Sequence, residues 1–137
     1  MRSKRSRVGA SEYCGHMGAG GSQQVGHRWR DYRTRAGRRP VKEFIDKQSD
    51  EDAAEIVAAM GEVRREGLGA ARHVRGEIYE VRAEGENATF RVLFAQEGEK
   101  GRVLLALEAF SKKTQQTPPG LIDLAERRLG DWRGRGG

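Results

Sequence analysis

Several residue types that build common functional sites are scarce in this chain. Cys14 is the only cysteine, so no disulfide forms within the chain and no cysteine cluster binds a metal. The three histidines, His16, His27 and His73, lack the paired spacing of a metal site. We therefore expect no metal, no cofactor and a reducing, cytoplasmic setting.

Long apolar runs are missing as well. No segment approaches the roughly 20 apolar residues that a membrane-spanning helix needs. The basic residues 1–7 resemble the start of a signal peptide, but residues 8–26 contain no apolar core segment. These absences favour a soluble protein over a membrane protein or a secreted one.

Charge is abundant and unevenly distributed. Lys and Arg number 26 against 20 Asp and Glu, which gives a formal net charge of +6. Residues 1–39 contain ten Lys or Arg and two acids, whereas residues 40–137 contain sixteen and eighteen. The total favours an anionic partner such as nucleic acid. Because the larger part is nearly balanced, any RNA site there must depend on local placement of cations.

The composition also indicates how the chain is divided. Residues 1–26 are rich in Gly, Ser and Arg without apolar periodicity, which is typical of a disordered tail. Met17 offers an alternative start, which would make residues 1–16 an extension. We expect a single domain over residues 27–133, since a chain of 137 residues favours one core.

Residues 28–66 predict one strand and two helices. A short strand is expected at residues 28–34, ahead of a turn. Pro40 suits the first position of a helix, and Ser49 followed by three acids predicts the capped start of a second helix. Apolar residues at helical spacing follow, and Gly67 ends the pattern.

The apolar pattern then changes to a period of two. Residues 77–83, 89–95 and 102–110 each alternate, and the polar linkers between them suit hairpins. A last helix is expected at residues 118–132, with Thr117 as its cap. The order of strand, two helices, three-stranded meander and helix predicts a small α+β fold. We expect an antiparallel sheet with the helices packed on one face.

The alternation also predicts which side chains share a face of the sheet. Arg82 and Arg91 should lie on the face opposite the core residues, on adjacent strands, with Glu80 beside Arg82. The last strand leads directly into Lys112 and Lys113. Cations fixed at the end of a rigid sheet are well placed to bind a phosphate.

Four segments, in this order and at these intervals, resemble a known family. They read GRRPVKEFI at residues 37–45, IYEVR at 78–82, FRVLF at 90–94 and FSKKTQQTP at 110–118. Together they resemble the RelE/ParE superfamily of toxins from type II toxin–antitoxin systems. The resemblance is strongest to the HigB-like branch, which includes phage-derived host-inhibition proteins. It covers roughly residues 28–130 and implies the small RelE-like fold.

The resemblance implies an mRNA endoribonuclease that acts in the decoding site of the ribosome. In this superfamily the ribose 2′-hydroxyl attacks the neighbouring phosphate, and clustered Arg and Lys often replace catalytic histidines. Matching positions assign Arg82 as the first catalytic candidate and Arg91 as a second clamp on the transition state. Lys112 and Lys113 are assigned to RNA contacts or proton transfer. His73 lies in a predicted loop before the sheet, with Arg72 and Arg75, and is a candidate for the general base.

The same resemblance implies partners. A toxin of this kind is kept inactive by a cognate antitoxin, which in HigB-like systems is typically a helix-turn-helix protein encoded in the adjacent gene. The ribosome and mRNA are the expected targets, and no metal is expected in the reaction. The chain departs from some relatives because it has no tyrosine or histidine near its carboxy terminus, so the general base is left unassigned.

Plainer interpretations of these residues stay open. Arg82 is able to pair with Glu80 or another surface acid, the two lysines with an antitoxin, and His73 is often a loop residue without a role. The arginines of residues 28–39 suit either phosphates of ribosomal RNA or a solvated surface. A ParE-like gyrase inhibitor and a catalytically inactive binding module are the alternative functions.

Overall fold

The structure of the protein is a computed structural model that describes residues 26–112 and 116–136. The expected tail, apart from its last residue, and the alternative start at Met17 lie outside the described residues. Lys113 also lies outside them, and only the backbone of Lys112 is described. Within the described ranges no helix combines the length and the apolar character needed to cross a bilayer.

Strands and helices follow the predicted order closely. The strands are β1 (Arg28–Asp31), β2 (Arg72–Arg75), β3 (Ile78–Glu84), β4 (Thr89–Glu97) and β5 (Val103–Lys112). The α-helices are α1 (Pro40–Asp46), α2 (Asp50–Glu66) and α3 (Pro119–Gly134). Short 3-10 turns follow α2 and β4. The α+β class is confirmed, and each predicted element is present.

The sheet is mixed, with the strand order β1-β5-β4-β3-β2. Strands β2 to β5 pair antiparallel, which confirms the meander. The expectation of an entirely antiparallel sheet is wrong, because β1 pairs with β5 in parallel. Hairpin linkers fix the direction only of the strands that they join. A strand that pairs far along the chain, as β1 does, is free to run parallel.

The edge strand β2 lies where the sequence predicted a loop. Gly76, with a φ of 57°, and Glu77 form the two-residue turn between β2 and β3. A positive φ at such a turn favours glycine, which has no Cβ to clash. His73 is therefore part of a strand, and Tyr79 is its partner across the pair.

Both faces of the sheet carry an apolar core. One face packs on α1 and α2 and buries side chains that include Trp29, Val81, Phe90, Phe94 and Leu104. The other face packs on α3 and buries Ile78, Leu93, Ala95, Leu105, Leu107, Ala125 and Leu129. The expectation that all helices pack on one face is wrong. Since β4 and β5 are apolar on both sides, each side must be covered.

Two contacts of α2 agree with its sequence. The Ser49 hydroxyl accepts a hydrogen bond of 3.1 Å from the backbone N–H of Asp52, which confirms the predicted cap. At the buried side of the helix, the Trp29 indole donates a 2.8 Å hydrogen bond to the Met60 carbonyl. The second contact ties α2 to β1 and makes Trp29 a packing residue.

Asp131 on α3 attaches the helix to the end of β1, and this attachment should depend on pH. The Tyr32 hydroxyl donates a 2.7 Å hydrogen bond to Asp131, and Arg35 and Arg135 lie at 3.1 and 2.6 Å. The Tyr32 bond holds the pKa of Asp131 below its usual range, aided by Arg135 and Arg35 and opposed by burial. A carboxyl with a depressed pKa stabilises the folded state above its unfolded pKa.

We expect the effect of Asp131→Asn on the melting temperature to depend on pH. The variant should melt at a lower temperature than the wild type above about pH 5, and the difference should shrink as the pH falls through the folded pKa, below about pH 4. Thermal melts of both proteins across this range measure the difference, with Glu62→Gln at an exposed position of α2 as the control. A difference that stays constant with pH would contradict the role of the Asp131 charge.

Candidate active site

A buried carboxylate, Glu80, lies at the centre of a group of arginines on β2, β3 and β4. Its side chain is 0% exposed. Glu80 Oε2 lies 3.2 Å from Nε of Arg91 and 3.5 Å from Nε of Arg82, and its Oε1 lies 3.6 Å from Nη2 of Arg72. Three guanidiniums face one carboxylate, so these four residues, the arginine cluster, have a surplus of positive charge.

Strand pairing brings the arginine cluster together. Arg72 is paired with Glu80 across β2 and β3, and Arg82 is paired with Arg91 across β3 and β4. Directly opposed residues share a face of the sheet, as do residues two apart along one strand. The prediction that Arg82 and Arg91 share a face on adjacent strands is confirmed. This is the face on which α3 packs.

Thr117, in the loop before α3, covers Glu80 and Arg91 of the arginine cluster. Its hydroxyl donates a 2.9 Å hydrogen bond to Oε1 of Glu80 and accepts one of 3.3 Å from Nη1 of Arg91. The prediction that Thr117 caps the helix is wrong. The helix begins at Pro119, Pro118 holds the capping position, and no side-chain cap bond forms. The Thr117 hydroxyl is instead hydrogen-bonded to Glu80 and Arg91.

The three arginines of the cluster differ in how much of each side chain is exposed to solvent. The side chain of Arg91 is 2% exposed, whereas those of Arg82 and Arg72 are 34% and 55% exposed. Burial lowers the pKa of Arg91, and the positive charges of Arg82 and Arg72 lower it further, against the opposing effect of Glu80. A guanidinium still keeps its charge in proteins. Arg91 is therefore an internal cation, and Arg82 and Arg72 reach solvent.

The lysine segment begins beside the arginine cluster. Lys112 ends β5 and is paired with Thr89 of β4, and Arg91, two residues farther along β4, is paired with Phe110. A strand rises by 3.2–3.4 Å per residue, so the two rows lie about 7 Å apart. The backbone of Lys112 is thus close to the cluster. The Lys112 side chain and the whole of Lys113 are outside the described residues.

His73 lies on the other face of the sheet. It is paired with Tyr79, and the two rings meet edge to face with centroids 5.1 Å apart. Tyr79 packs against the core beneath α1 and α2. The imidazole Nε2 of His73 is 2.8 Å from the Gly76 carbonyl oxygen. The structure does not bring His73 together with Arg82 and Arg91.

The sequence did not single out Arg72 or Thr117 as members of this site. Arg72 lies in strand β2 and not in the expected loop, and its position opposite Glu80 depends on this strand. The tight turn at Gly76 was the signal that would have revealed this strand. Thr117 shares its segment with the lysines, but only the three-dimensional path of the loop brings its hydroxyl to Glu80.

The cluster is chemically suited to hold an anion at the sheet surface. A guanidinium presents its N–H donors in a planar fork that matches a phosphate, and two such groups reach solvent here. Buried Glu80 neutralises part of this charge and accepts a hydrogen bond of 3.5 Å from Nε of Arg82. Because the Glu80 side chain is fully buried, it is poorly placed to take a proton from a bound substrate.

The sequence matches known proteins across this site. Residues 43–130 match the family described as phage derived protein Gp49-like, and this segment contains the whole arginine cluster. The chain is also 36% identical over 108 residues to the protein named "Probable endoribonuclease HigB1" in two strains of Mycobacterium tuberculosis, CDC 1551 / Oshkosh and H37Rv. The alignment covers 77% of this chain and 84% of that protein.

Proposed function

This chain belongs to the HigB-like branch of the RelE/ParE toxins, and we propose on that basis that it is an endoribonuclease that arrests translation by cutting mRNA. One observation carries the proposal. The solvent-reaching guanidinium of Arg82, fixed above buried Glu80, lies within the segment matched to a relative named as an endoribonuclease. Cutting within the decoding site of the ribosome belongs to the same proposal.

Cleavage by this route begins with attack of the ribose 2′-oxygen on the adjacent phosphate. The phosphorane that forms carries two negative charges, and the 5′-oxygen leaves as the P–O bond breaks. Arg82 binds the non-bridging oxygens with its fork, and Arg72 adds a second cation. These charges neutralise the phosphorane, so the proposed reaction uses no metal.

Arg91 was predicted as a second clamp on the transition state. Its 2% exposure and its contacts with Glu80 and Thr117 support an indirect role, in which Arg91 fixes the carboxylate that orients Arg82. Proton transfer from the 2′-hydroxyl and to the leaving oxygen is assigned to Lys112 and Lys113. Like charges nearby favour the neutral form of a lysine, which is the form that accepts a proton.

Membership in a toxin–antitoxin family implies an antitoxin partner. We propose that this partner is a helix-turn-helix protein encoded next to the toxin gene. A small reading frame with a helix-turn-helix signature beside this gene would support the assignment, and co-expression of its product should restore growth.

Induced expression of the full chain in bacteria tests the proposed function. We expect growth arrest, with new mRNA 5′ ends inside coding regions while DNA replication continues. The measurement is mapping of transcript ends alongside labelling of new DNA. Intact transcripts with stalled replication would instead identify a gyrase inhibitor. Continued growth with abundant soluble protein would identify an inactive binding module.

A further inference from the structure

A second basic surface lies at the opposite edge of the sheet. A cleft of about 660 Å³ opens there between β1 and the end of α3. Five arginines line this β1 cleft, namely Arg28, Arg30, Arg33, Arg39 and Arg135. The arginine cluster around Glu80 has no residue in common with it, so the two basic surfaces are separate.

Little negative charge offsets the arginines of the β1 cleft. Arg28, Arg30 and Arg33 are exposed, and within residues 26–112 and 116–136 none of the three forms an ion pair with a carboxylate. The one carboxylate in the lining, Asp31, is 2% exposed and accepts a 3.1 Å hydrogen bond from Nε of Arg39. The accessible wall of the cleft is therefore strongly positive.

Two of the guanidiniums are already held in place. Arg30 lies over the ring of Trp132 at 5.3 Å from its centroid. Arg135 bonds to Asp131 at 2.6 Å and donates a 2.6 Å hydrogen bond to the Arg33 carbonyl. Side chains that are ordered before binding lose less conformational freedom when a ligand arrives. The cleft thus resembles a preorganised anion site more than a freely solvated surface.

The β1 cleft and the arginine cluster lie at the two ends of α3. Arg28 and Arg30 alternate with buried Trp29, which puts them on the face that α3 covers. Trp132 and Arg135, at the end of α3, line the cleft, whereas Thr117 precedes the helix at the cluster. A helix of 16 residues is about 24 Å long, so one extended strand of nucleic acid is able to reach both ends.

We propose that the β1 cleft binds the phosphate backbone of single-stranded RNA, next to the nucleotides that the arginine cluster cuts. This inference rests on the proposed function for the identity of the anion. Phosphate recognition needs guanidinium forks on an open surface, which the cleft supplies. Protein partners typically anchor aromatic or aliphatic side chains in apolar pockets. The cleft offers none, because Trp29 is buried and Trp132 lies under Arg30.

Fluorescence anisotropy with the full chain and a short labelled 2′-O-methyl RNA tests the inference. This RNA lacks the attacking hydroxyl, so binding is measured without cleavage. The cleft variant combines Arg28→Gln, Arg30→Gln and Arg33→Gln. Its Kd should rise about tenfold or more, and the slope of log Kd against log salt should fall by about 2, since each phosphate contact contributes about 0.7 on single strands.

A matched variant with Lys47→Gln, Arg65→Gln and Arg127→Gln removes the same charge from exposed positions elsewhere. Its Kd should change less than about threefold, and thermal melts should show that both proteins fold. Equal Kd values and equal slopes for the two variants would overturn the inference. So would loss of antitoxin binding by the cleft variant with unchanged RNA binding, which would identify an acidic protein segment as the occupant.

The outcome is distinguishable from failure of the proposed function. If the wild type cuts mRNA and the cleft variant binds RNA as the control does, the function stands and the cleft inference fails. If RNA binding depends on the cleft but mRNA stays intact, the cleft inference stands and the endoribonuclease proposal fails.

Discussion

An Arg82→Ala protein should accumulate in folded, soluble form and fail to arrest growth. We expect mRNA cleavage to fall by about 100-fold or more, because removing one preorganised donor from a developing anion typically costs two to three orders of magnitude in rate. Quantitative mapping of transcript ends after induction measures the loss. Melting temperatures measure folding, which should change little, because buried Glu80 keeps its contacts with Arg91 and Thr117.

Two matched variants sharpen this prediction. Arg82→Lys keeps the charge but loses the planar fork, so we expect activity between that of the wild type and that of Arg82→Ala. Arg127→Ala removes an exposed arginine from α3, away from the cluster, and should leave cleavage unchanged. Full toxicity from a folded Arg82→Ala protein would remove Arg82 from the catalytic assignment.

Glu80→Gln should cause a large loss of stability together with a loss of activity. The change leaves Arg72, Arg82 and Arg91 around a neutral amide, with Arg91 still buried. Removing one partner of a buried ion pair typically costs about 3–5 kcal/mol. The melting temperature should fall by about 10 °C or more. Glu86→Gln, at an exposed position between β3 and β4, is the control and should melt close to the wild type.

A double variant separates stability from positioning. Replacing Glu80 and Arg91 together by methionine removes both buried charges, and such replacements are often neutral or stabilising. We expect the double variant to melt well above Glu80→Gln and closer to the wild type. Cleavage should stay low, because Arg82 no longer has the carboxylate that orients it. Cleavage at the wild-type rate by the folded double variant would show that Glu80 has only a structural role.

Local patterns accounted for most of the fold. The Ser49 cap, the alternation in β3 to β5 and the hairpin linkers are properties of neighbouring residues, so the sequence displays them directly. Strand β2 escaped prediction because its four residues, RHVR, lack an apolar alternation, and its place depends on pairing with β3. The position of α3 depends on the second apolar face of the sheet.

The sequence predicted which face of the sheet the arginines of the candidate site occupy, but not how deeply each one is buried. Alternation placed Arg82 and Arg91 on one face, yet it could not distinguish an exposed cation from a buried one. That difference arises because the loop at Thr117 covers Arg91, from a segment distant in the chain. The β1 cleft also depends on residues distant in the chain, since Arg135 joins Arg28 there only when α3 packs onto the sheet.

Cleavage of a defined message by the purified chain tests the central claim most directly. Ribosomes carrying a short mRNA are incubated with the protein, and the product ends are identified by mass spectrometry. Attack by the 2′-oxygen predicts a 2′,3′-cyclic phosphate on one fragment and a 5′-hydroxyl on the other. A 2′-deoxy nucleotide at the cut position should prevent cleavage. An intact message, or equal cutting of the deoxy-substituted message, would contradict the proposed endoribonuclease mechanism.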